Sequence, residues 1–489
     1  MMQRRNFLRA TALGSLGVMA GCKGQLVAET PKPAVKKKLN VVLIFTDDQG
    51  YGDLSCFGAK DLATPHIDSI AKRGLKLTDF YVPCTVCTPS RAALLTGAYP
   101  KRIGLHEVVL FPESKHGLNP KEELLPELLK RAGYATGMFG KWHLGHHKTM
   151  MPNAQGFDEY FGVPYSNDMA HVHKFAKYGG KKPDNSKLPA KFHNYPKLPL
   201  LHNGKVLELE PDQCYLTKRY TEKACEFITA NKDKPFFVYL PHSMPHVPLY
   251  RSKAFEGSSK RGVYGDVIQE LDWGVGEVLK TLKTLGLEKD TLVIYTSDNG
   301  GGIHYKYKGA VNAPLRGGKA NTWDGGSRVP CVMQLPGVLP EGKVCKEMLV
   351  SFDLVPTICN LVGAPLPKAK IDGRDILPIL TNPEKTADPR PLVLYCRNGN
   401  PECIRYGKWK LHVAKRDKSK GPNGLRKGEK LPFLFDLRAD IGETKNVAKQ
   451  NPAVVKKLRA MMNKINKEIT ANARPVARVK TNLVPTLEK

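Results

Sequence analysis

The sequence lacks a long internal apolar segment, internal repeats and paired cysteine motifs. No run of roughly eighteen consecutive apolar residues, the length that a membrane-spanning helix needs, occurs after the N-terminus, so no internal membrane span is predicted. Without repeats, a repeat architecture is not predicted either. Among the eleven cysteines only Cys84 and Cys87 form a CxxC pair, and one isolated pair is weak evidence for zinc or redox chemistry.

Acidic residues are scarce relative to basic ones. The chain carries 76 lysines and arginines against 46 aspartates and glutamates, a formal net charge of +30. Such a balance predicts attraction to polyanions, whether nucleic acid, anionic lipid or a sulfated or uronic-acid glycan. Charge does not choose among these partners, and it is equally compatible with a role in solubility alone. No nucleic-acid-binding motif accompanies it, so we predict no nucleic-acid partner.

The N-terminal segment resembles a bacterial export signal. Arg4-Arg5 precedes a weakly apolar stretch over residues 10–20, and Ala20-Gly21-Cys22 follows it. This order is typical of a twin-arginine signal that ends in a lipobox, with Cys22 as the lipidated N-terminus. Residues 1–22 are therefore predicted to be a lipoprotein signal, and residues 23–38 a flexible tether. We expect an exported protein, periplasmic or anchored to the envelope, whose membrane association depends on a lipid at Cys22.

The chain of 489 residues is too long for one ordinary core, and its apolar pattern predicts one large domain and one small one. Continuous apolar runs predict strands that are covered on both faces, as in a parallel sheet. The runs are residues 39–45, 236–240, 292–295 and 331–335. Helical spacing lies between them, at residues 124–132, 216–231 and 267–285. This alternation predicts an α/β fold with a mainly parallel sheet over residues 39–371.

The segment over residues 372–489 has a different pattern. Short apolar runs at residues 392–395, 404–413 and 433–437 alternate with turns, and a helical stretch covers residues 452–469. These features predict a C-terminal subdomain made of a small antiparallel sheet and one packed helix. The basic, glycine-containing stretch at residues 415–430 is predicted to be an exposed loop.

Polar motifs follow two of the predicted strands. Asp47-Asp48 ends the first strand, and Ser297-Asp298-Asn299-Gly300 ends the strand at residues 292–295. Adjacent carboxylates repel each other and need a nearby cation or helix N-terminus, although one such pair alone is more often a surface turn. Oxygen ligands from two strand ends suit a hard cation such as Ca²⁺, so the two motifs together predict a metal site.

A third motif begins at Cys87 and reads Cys-Thr-Pro-Ser-Arg-Ala-Ala-Leu-Leu-Thr-Gly. Pro89 suits the first turn of a helix, and Gly97 suits the position after its end. Cys87 is therefore expected at a helix N-terminus, where negative charge is favoured. The alternative is a buried cysteine that precedes a helix and has no chemical role.

The third motif resembles the first signature of the type I, formylglycine-dependent sulfatases, the arylsulfatase family of the alkaline-phosphatase-like superfamily. The second signature follows as Gly133-Tyr134-Ala135-Thr136 and then Gly140-Lys141-Trp142-His143. Pro245-His246-Val247-Pro248, Leu315-Arg316-Gly317-Gly318-Lys319 and the closing FDLRADIGETKNVA segment are also similar to family motifs. The resemblance implies a large mixed, mainly parallel sheet sandwiched by helices, with residues 39–371 as the catalytic sulfatase domain.

The resemblance also implies a chemical role for each matching residue. A maturase would oxidise Cys87 to formylglycine, whose hydrated diol is the nucleophile and releases sulfate through its second hydroxyl. One calcium ion would be held by Asp47, Asp48, Asp298, Asn299 and the side chain at Cys87. Asp298 would also help to take the nucleophile's proton. Arg91 and Lys141 would orient the diol and stabilise developing negative charge. His246, with Lys319, would protonate the leaving alcohol, and His143 would accept the proton of the second hydroxyl.

The implied activity is hydrolysis of sulfate esters, most naturally on a sulfated polysaccharide or oligosaccharide. One alternative within the superfamily is a phosphate or phosphonate ester hydrolase, although Cys87 and Lys319 favour sulfate. Another is a catalytically inactive glycan-binding lipoprotein, which would lack one of the catalytic groups. Four histidines match the family less firmly and are expected to line sugar subsites or the surface: His171, His173, His242 and His304. The Trp323-Asp324-Gly325-Gly326 stretch is interpreted as structural.

If export uses the twin-arginine route, replacing Arg4-Arg5 with Lys-Lys is expected to leave the protein in the cytoplasm. Cell fractionation followed by immunoblotting measures this directly. Normal secretion of the Lys-Lys variant would contradict the assignment of the signal.

Overall fold

The computed structural model describes residues 38–106, 109–169, 196–303, 309–385, 388–395, 399–414 and 430–480. The predicted signal, nearly all of the tether, the loop at residues 415–429 and three histidines (His171, His173 and His304) lie outside the described residues. Within the described ranges, no helix combines the length and apolar character needed to cross a membrane.

The described residues form eighteen strands and nine α-helices. The strands are β1 Asn40–Thr46, β2 Leu75–Leu77, β3 Phe80–Tyr81, β4 His116–Gly117, β5 Ala135–Lys141, β6 Glu159–Val163, β7 Pro199–His202, β8 Lys205–Leu209, β9 Phe236–Pro241, β10 Thr291–Ser297, β11 Cys331–Gln334, β12 Lys343–Cys345, β13 Leu349–Val350, β14 Pro391–Tyr395, β15 Pro401–Tyr406, β16 Trp409–His412, β17 Phe433–Asp436 and β18 Ala477–Arg478. The helices are α1 Pro65–Lys72, α2 Cys87–Thr96, α3 Leu125–Arg131, α4 Leu216–Ala230, α5 Val263–Thr284, α6 Asp324–Ser327, α7 Leu354–Val362, α8 Leu377–Leu380 and α9 Pro452–Ala471.

The main sheet has ten strands in the order β12-β2-β11-β10-β1-β9-β5-β6-β7-β8. Its centre, from β10 to β6, is parallel, whereas β11, β7 and β8 each run antiparallel to a neighbour. The α/β prediction of a mixed, mainly parallel sheet is therefore confirmed. The apolar run at residues 331–335 forms strand β11 as expected, but this strand runs against β10.

The central strand explains why the apolar runs are continuous rather than alternating. Val41, Leu43 and Phe45 of β1 pack into one hydrophobic cluster, and Val42 and Ile44 pack into another on the opposite face. Both faces of the strand are therefore buried, which is the arrangement that a covered parallel sheet requires. The first cluster includes residues from α2, α3 and α7, and the second includes residues from α1, α4 and α5.

The C-terminal part contains the predicted antiparallel sheet. Strands β14, β15, β16 and β17 pair in chain order, and α9 packs Leu458, Met462 and Ile469 into their core. The run at residues 404–413, interpreted from the sequence as one segment, is instead a hairpin of β15 and β16. Its turn contains Gly407, whose φ of 57° is in the left-handed region that glycine favours. The division of the chain between residues 371 and 372 stays a prediction.

Parallel strands place their carboxyl ends along one edge of the sheet. Strand β1 ends at Thr46 opposite Ser297 of β10, and Pro241 of β9 lies beside Phe45. Lys141 is the last residue of β5, the next strand along. The residues that follow these strands are therefore brought together at this edge, which we call the carboxyl edge.

Candidate active site

Three buried carboxylates meet at the carboxyl edge. Asp47 and Asp48 follow β1, Asp298 and Asn299 follow β10, and all four side chains are buried. The backbone N–H of Asp48 donates to Asp298 Oδ1 at 3.1 Å, and Asn299 Nδ2 donates to Asp48 Oδ1 at 2.7 Å. Asp48 has a φ of 64°, so the turn folds back sharply towards β10. The in-register pairing of β1 with β10 brings these side chains together.

Cys87 is the first residue of α2, as predicted, and it lies against this cluster. Its Sγ donates to Asp47 Oδ1 at 3.3 Å, and the side chain is buried. Burial, with the Asp47 carboxylate adding to it, raises the pKa of the Cys87 thiol well above its ordinary value. An unmodified thiol at this position is therefore held protonated and is a poor nucleophile. The oxygen or sulfur atoms of Asp47, Asp48 and Cys87 and a ring nitrogen of His246 all lie within 4.8 Å of one another.

Three basic side chains surround the three carboxylates. Arg91 Nε and Nη2 donate to Asp298 Oδ2 at 3.1 and 2.9 Å, and Lys319 Nζ donates to Asp48 Oδ2 at 2.7 Å. Lys141 pairs with Asp47 through Nζ and Oδ2. Each carboxylate thus has its own cation in a site that water scarcely reaches.

The charges in this cluster shift one another's pKa values. Burial and the neighbouring Asp47 carboxylate raise the pKa of Asp298 to about 7. Burial acts in the same direction on Asp47, but Lys141 and the other cations outweigh it and lower the pKa of Asp47 well below its ordinary value. Buried carboxylates in such close contact require compensating positive charge.

Two histidines border the cluster in different hydrogen-bonding states. His143 Nε2 contacts the carbonyl oxygen of Leu110 at 2.8 Å, so Nε2 carries the proton and Nδ1 has a free lone pair. Burial and then Lys141 lower the pKa of His143 well below its ordinary value, which keeps the ring neutral. His246 donates from Nδ1 to the carbonyl oxygen of Val247, and its Nε2 lies 3.6 Å from Asp48 Oδ2.

The loop that carries Lys319 is anchored by close backbone contacts. The N–H of Lys319 donates to the carbonyl of Gly301 at 3.1 Å, and the N–H of Ala320 donates to that of Thr85 at 3.0 Å. A Cβ at Gly318 would lie 2.4 Å from the Gly301 carbonyl oxygen, so glycine is required for this approach. Trp323, further along the loop, is buried against Phe433 and Phe435, which fits the interpretation of this stretch as structural.

The structure brings every predicted site residue to this one region, but it differs from the sequence interpretation in two details. Ser166, which the sequence did not reveal, is buried after β6 and accepts a hydrogen bond from Lys141 Nζ at 3.0 Å. Only its place after a strand of the main sheet could have indicated it. His242 is 1% exposed, so it does not lie on the surface, and burial lowers its pKa to about 3.

Comparisons with known proteins agree with this geometry. The sulfatase family model matches residues 39–364, and the model for the C-terminal region of aryl-sulfatase matches residues 388–489. Human arylsulfatase A is 36% identical over 490 residues, covering 94% of this chain and 94% of its own. Mouse N-acetylgalactosamine-6-sulfatase is 34% identical, covering 82% and 76%.

A solved structure extends the likeness to the whole architecture. The crystal structure of Ps i-CgsB in complex with k-i-k-neocarrahexaose is 31% identical, covers 92% of this chain and 95% of its own, and superimposes with a TM-score of 0.74. The residues matched by the two family models include all strands of the main sheet and of the small C-terminal sheet. The chain belongs to the sulfatase family of the alkaline-phosphatase-like superfamily and is a sulfuric ester hydrolase.

Proposed function

We propose that this enzyme hydrolyses sulfate esters of polysaccharides or oligosaccharides, using a formylglycine made from Cys87 and one calcium ion. The observation that carries the proposal is the position of Cys87, at the start of α2 and 3.3 Å from Asp47 in the buried carboxylate cluster. A nucleophile at this position faces both the carboxylates and the three basic side chains around them.

The donor set fits a hard cation. Asp47, Asp48 and Asp298 supply carboxylate oxygens, and Asn299 Oδ1 is buried without a hydrogen-bond partner in the described part of the chain. Such an orphaned oxygen beside three carboxylates is a ligand for an oxygen-preferring ion such as Ca²⁺. When bound, the ion would act as a Lewis acid, neutralising sulfate charge and lowering the pKa of a hydroxyl on residue 87.

Conversion of Cys87 to formylglycine overcomes two limits of the thiol. The raised pKa of Cys87 disfavours the thiolate, and a thiol adduct of sulfate has no easy internal route to release. A hydrated aldehyde supplies one hydroxyl for attack on sulfur and a second whose ionisation expels sulfate and restores the aldehyde.

The chain's own groups are arranged on both sides of residue 87. Arg91 and Lys141 are fixed by Asp298 and Asp47, so their charge is preorganised for a sulfate group at negligible reorganisation cost. His143 Nδ1 has a free lone pair and suits the role of base for the second hydroxyl. Because Nδ1 of His246 donates to a carbonyl, its Nε2 faces Asp48 and, with Lys319, suits proton delivery to the leaving alcohol.

Three further observations support a glycan substrate and an exported enzyme. Ps i-CgsB, which resembles this chain over nearly its whole length, was crystallised with a carrageenan-type hexasaccharide. The net charge of +30 favours polyanionic substrates. The N-terminal twin-arginine and lipobox pattern supports action in the periplasm or at the envelope, and a maturase would have to act on Cys87 before export because that route carries folded proteins.

Replacing Cys87 with alanine is expected to abolish hydrolysis of an aryl sulfate while leaving the thermal unfolding midpoint close to that of the parent protein. The matched control is Cys225→Ala, a half-buried cysteine on α4 outside the site, which should retain activity. Mass spectrometry of the peptide containing position 87, from protein coproduced with a maturase, should find an aldehyde in place of the thiol.

Undiminished activity of Cys87→Ala would overturn the proposed nucleophile. A higher kcat/KM on the matching aryl phosphate than on the aryl sulfate would instead favour the phosphate hydrolase alternative.

Replacing Ser166 with alanine is expected to lower kcat by roughly tenfold or more, because a hydrogen bond to the charged Lys141 is lost beside the reacting group. KM for a small aryl sulfate should change less than kcat, and Ser166→Thr should partly restore turnover. Ser351→Ala is the matched control, since that buried hydroxyl has no partner among the described residues. Equal kcat values for the two alanine variants would contradict the positioning role of Ser166.

A further inference from the structure

A cationic cavity opens at the carboxyl edge, apart from the carboxylate cluster. Its volume is about 540 Å³, and none of the catalytic residues lines it. Six basic side chains line its walls, with three acidic ones: the basic residues are Arg328, Lys346, Arg374, Arg390, Arg405 and Arg438. This volume is within the usual range for small-molecule sites, roughly 300–1,000 Å³.

Strand register places this cavity on the same edge as the active site. Thr78 and Asp79 follow β2, and Lys346 follows β12. Leu77 pairs with both Cys331 of β11 and Cys345 of β12, and Cys331 pairs with Thr296 beside the active-site turn. Strand β2 is separated from β1 by β11 and β10, and three interstrand spacings correspond to about 14 Å.

The acidic side chains near the cavity do not neutralise it. Asp79 is already shared by Arg405 and Arg328, and Arg390 is paired with the buried Asp353. In the described ranges, Lys346, Arg374 and Arg438 form no ion pair within 4 Å. Glu347 and Asp388 are the remaining acidic residues on the walls, so positive charge exceeds negative charge there.

Two guanidinium groups in the cavity wall have buried donors without acceptors. The Nε atoms of Arg374 and Arg390 are buried and find no hydrogen-bond partner among the described residues. Both Nε atoms are buried and therefore do not face the open cavity, so the groups available to an anion are those without a carboxylate partner: Lys346, Arg374 and Arg438. The planar guanidinium fork matches the oxygens of a sulfate group, which can accept two parallel hydrogen bonds from it.

We propose that this cavity binds a sulfate group of the glycan at a second point, on a sugar next to or near the one whose ester is being cleaved. The choice of a sulfated glycan as the ligand rests on the proposed function. A separation of about 14 Å along one edge is within the reach of a short oligosaccharide, so one chain can occupy both sites. The cavity would then select multiply sulfated chains over singly sulfated ones and over small aryl sulfates.

The test compares two double variants of the full chain. Lys346→Gln/Arg374→Gln removes two charges from the cavity, and Lys283→Gln/Lys289→Gln removes two from an exposed region at and just after the end of α5. Each is also made with Cys87→Ala, so that binding can be measured without turnover. The probes for calorimetry are a sulfated carrageenan hexasaccharide, a chondroitin sulfate hexasaccharide, their desulfated forms and inorganic sulfate.

The cavity variant is expected to bind at least one sulfated hexasaccharide about tenfold more weakly than the parent, with a shallower salt dependence. The α5 control should change affinity by about twofold or less. For the active enzymes, KM for that hexasaccharide should rise while kcat/KM for a small aryl sulfate stays the same. Thermal unfolding at the parental midpoint would establish that the cavity variant is folded.

Equal hexasaccharide affinities for the cavity variant and the parent, or no binding of either sulfated hexasaccharide to the parent, would overturn the proposal. The cavity variant could also lose affinity for inorganic sulfate while its hexasaccharide affinity stays unchanged. That result would overturn the proposal, because the occupant of the cavity would then be a free anion. Failure of the proposed function gives a different result from failure of the cavity proposal. If the proposed function is wrong, the enzyme turns over no sulfate ester, but hexasaccharide binding still depends on the cavity residues.

Discussion

The site depends on keeping three carboxylates buried side by side at the carboxyl edge of the sheet. Asp47, Asp48 and Asp298 repel one another in a region of low dielectric, and Lys141, Lys319 and Arg91 offset that repulsion one for one. The in-register pairing of β1 with β10 makes the arrangement unavoidable, because it ends both strands at the same level. A bound divalent cation would add to this balance, and the unpaired oxygen of Asn299 is placed to contribute a ligand.

The small C-terminal sheet also serves this edge. Glu443 accepts hydrogen bonds from the backbone of Asp324 and from His412, while its own carbonyl accepts one from Arg316. Lys410 of β16 pairs with Asp324, and all of these partners are buried. Lys319 lies in the loop between Arg316 and Asp324, so Glu443, in the segment after β17, and Lys410 of β16 hold the two ends of the segment that supplies this cation. The C-terminal residues therefore support the loop that supplies Lys319 to the carboxylate cluster.

Sequence alone predicted the features that arise from local pattern or from short motifs. The two-faced burial of β1 is visible in its continuous apolar run, and Cys87, Arg91 and Lys141 stand in signatures with fixed spacing. Ser166 could not be predicted, because its contact with Lys141 depends on where β6 lies in the sheet. The hairpin of β15 and β16 was missed because its turn is only two residues long, Gly407-Lys408, and large apolar residues flank it on both sides.

The cationic cavity could not be predicted from the sequence. Arg328, Arg374 and Arg438 are separated by tens of residues, and only the packing of the C-terminal sheet beside β2 and β12 assembles them. The overall charge of +30 indicated a polyanionic partner but gave no location for it. Part of the excess positive charge lies in this cavity, which has six basic and three acidic side chains on its walls.

The measurement that tests the carboxylate cluster most directly is the metal content of the purified enzyme, determined by inductively coupled plasma mass spectrometry after dialysis against low-calcium buffer. The proposed calcium site predicts one calcium ion per chain in the parent protein and a loss of most of it, about tenfold or more, in Asp48→Asn/Asp298→Asn. An unchanged calcium content in that variant, or full sulfatase activity in a parent protein free of divalent cations, would contradict it.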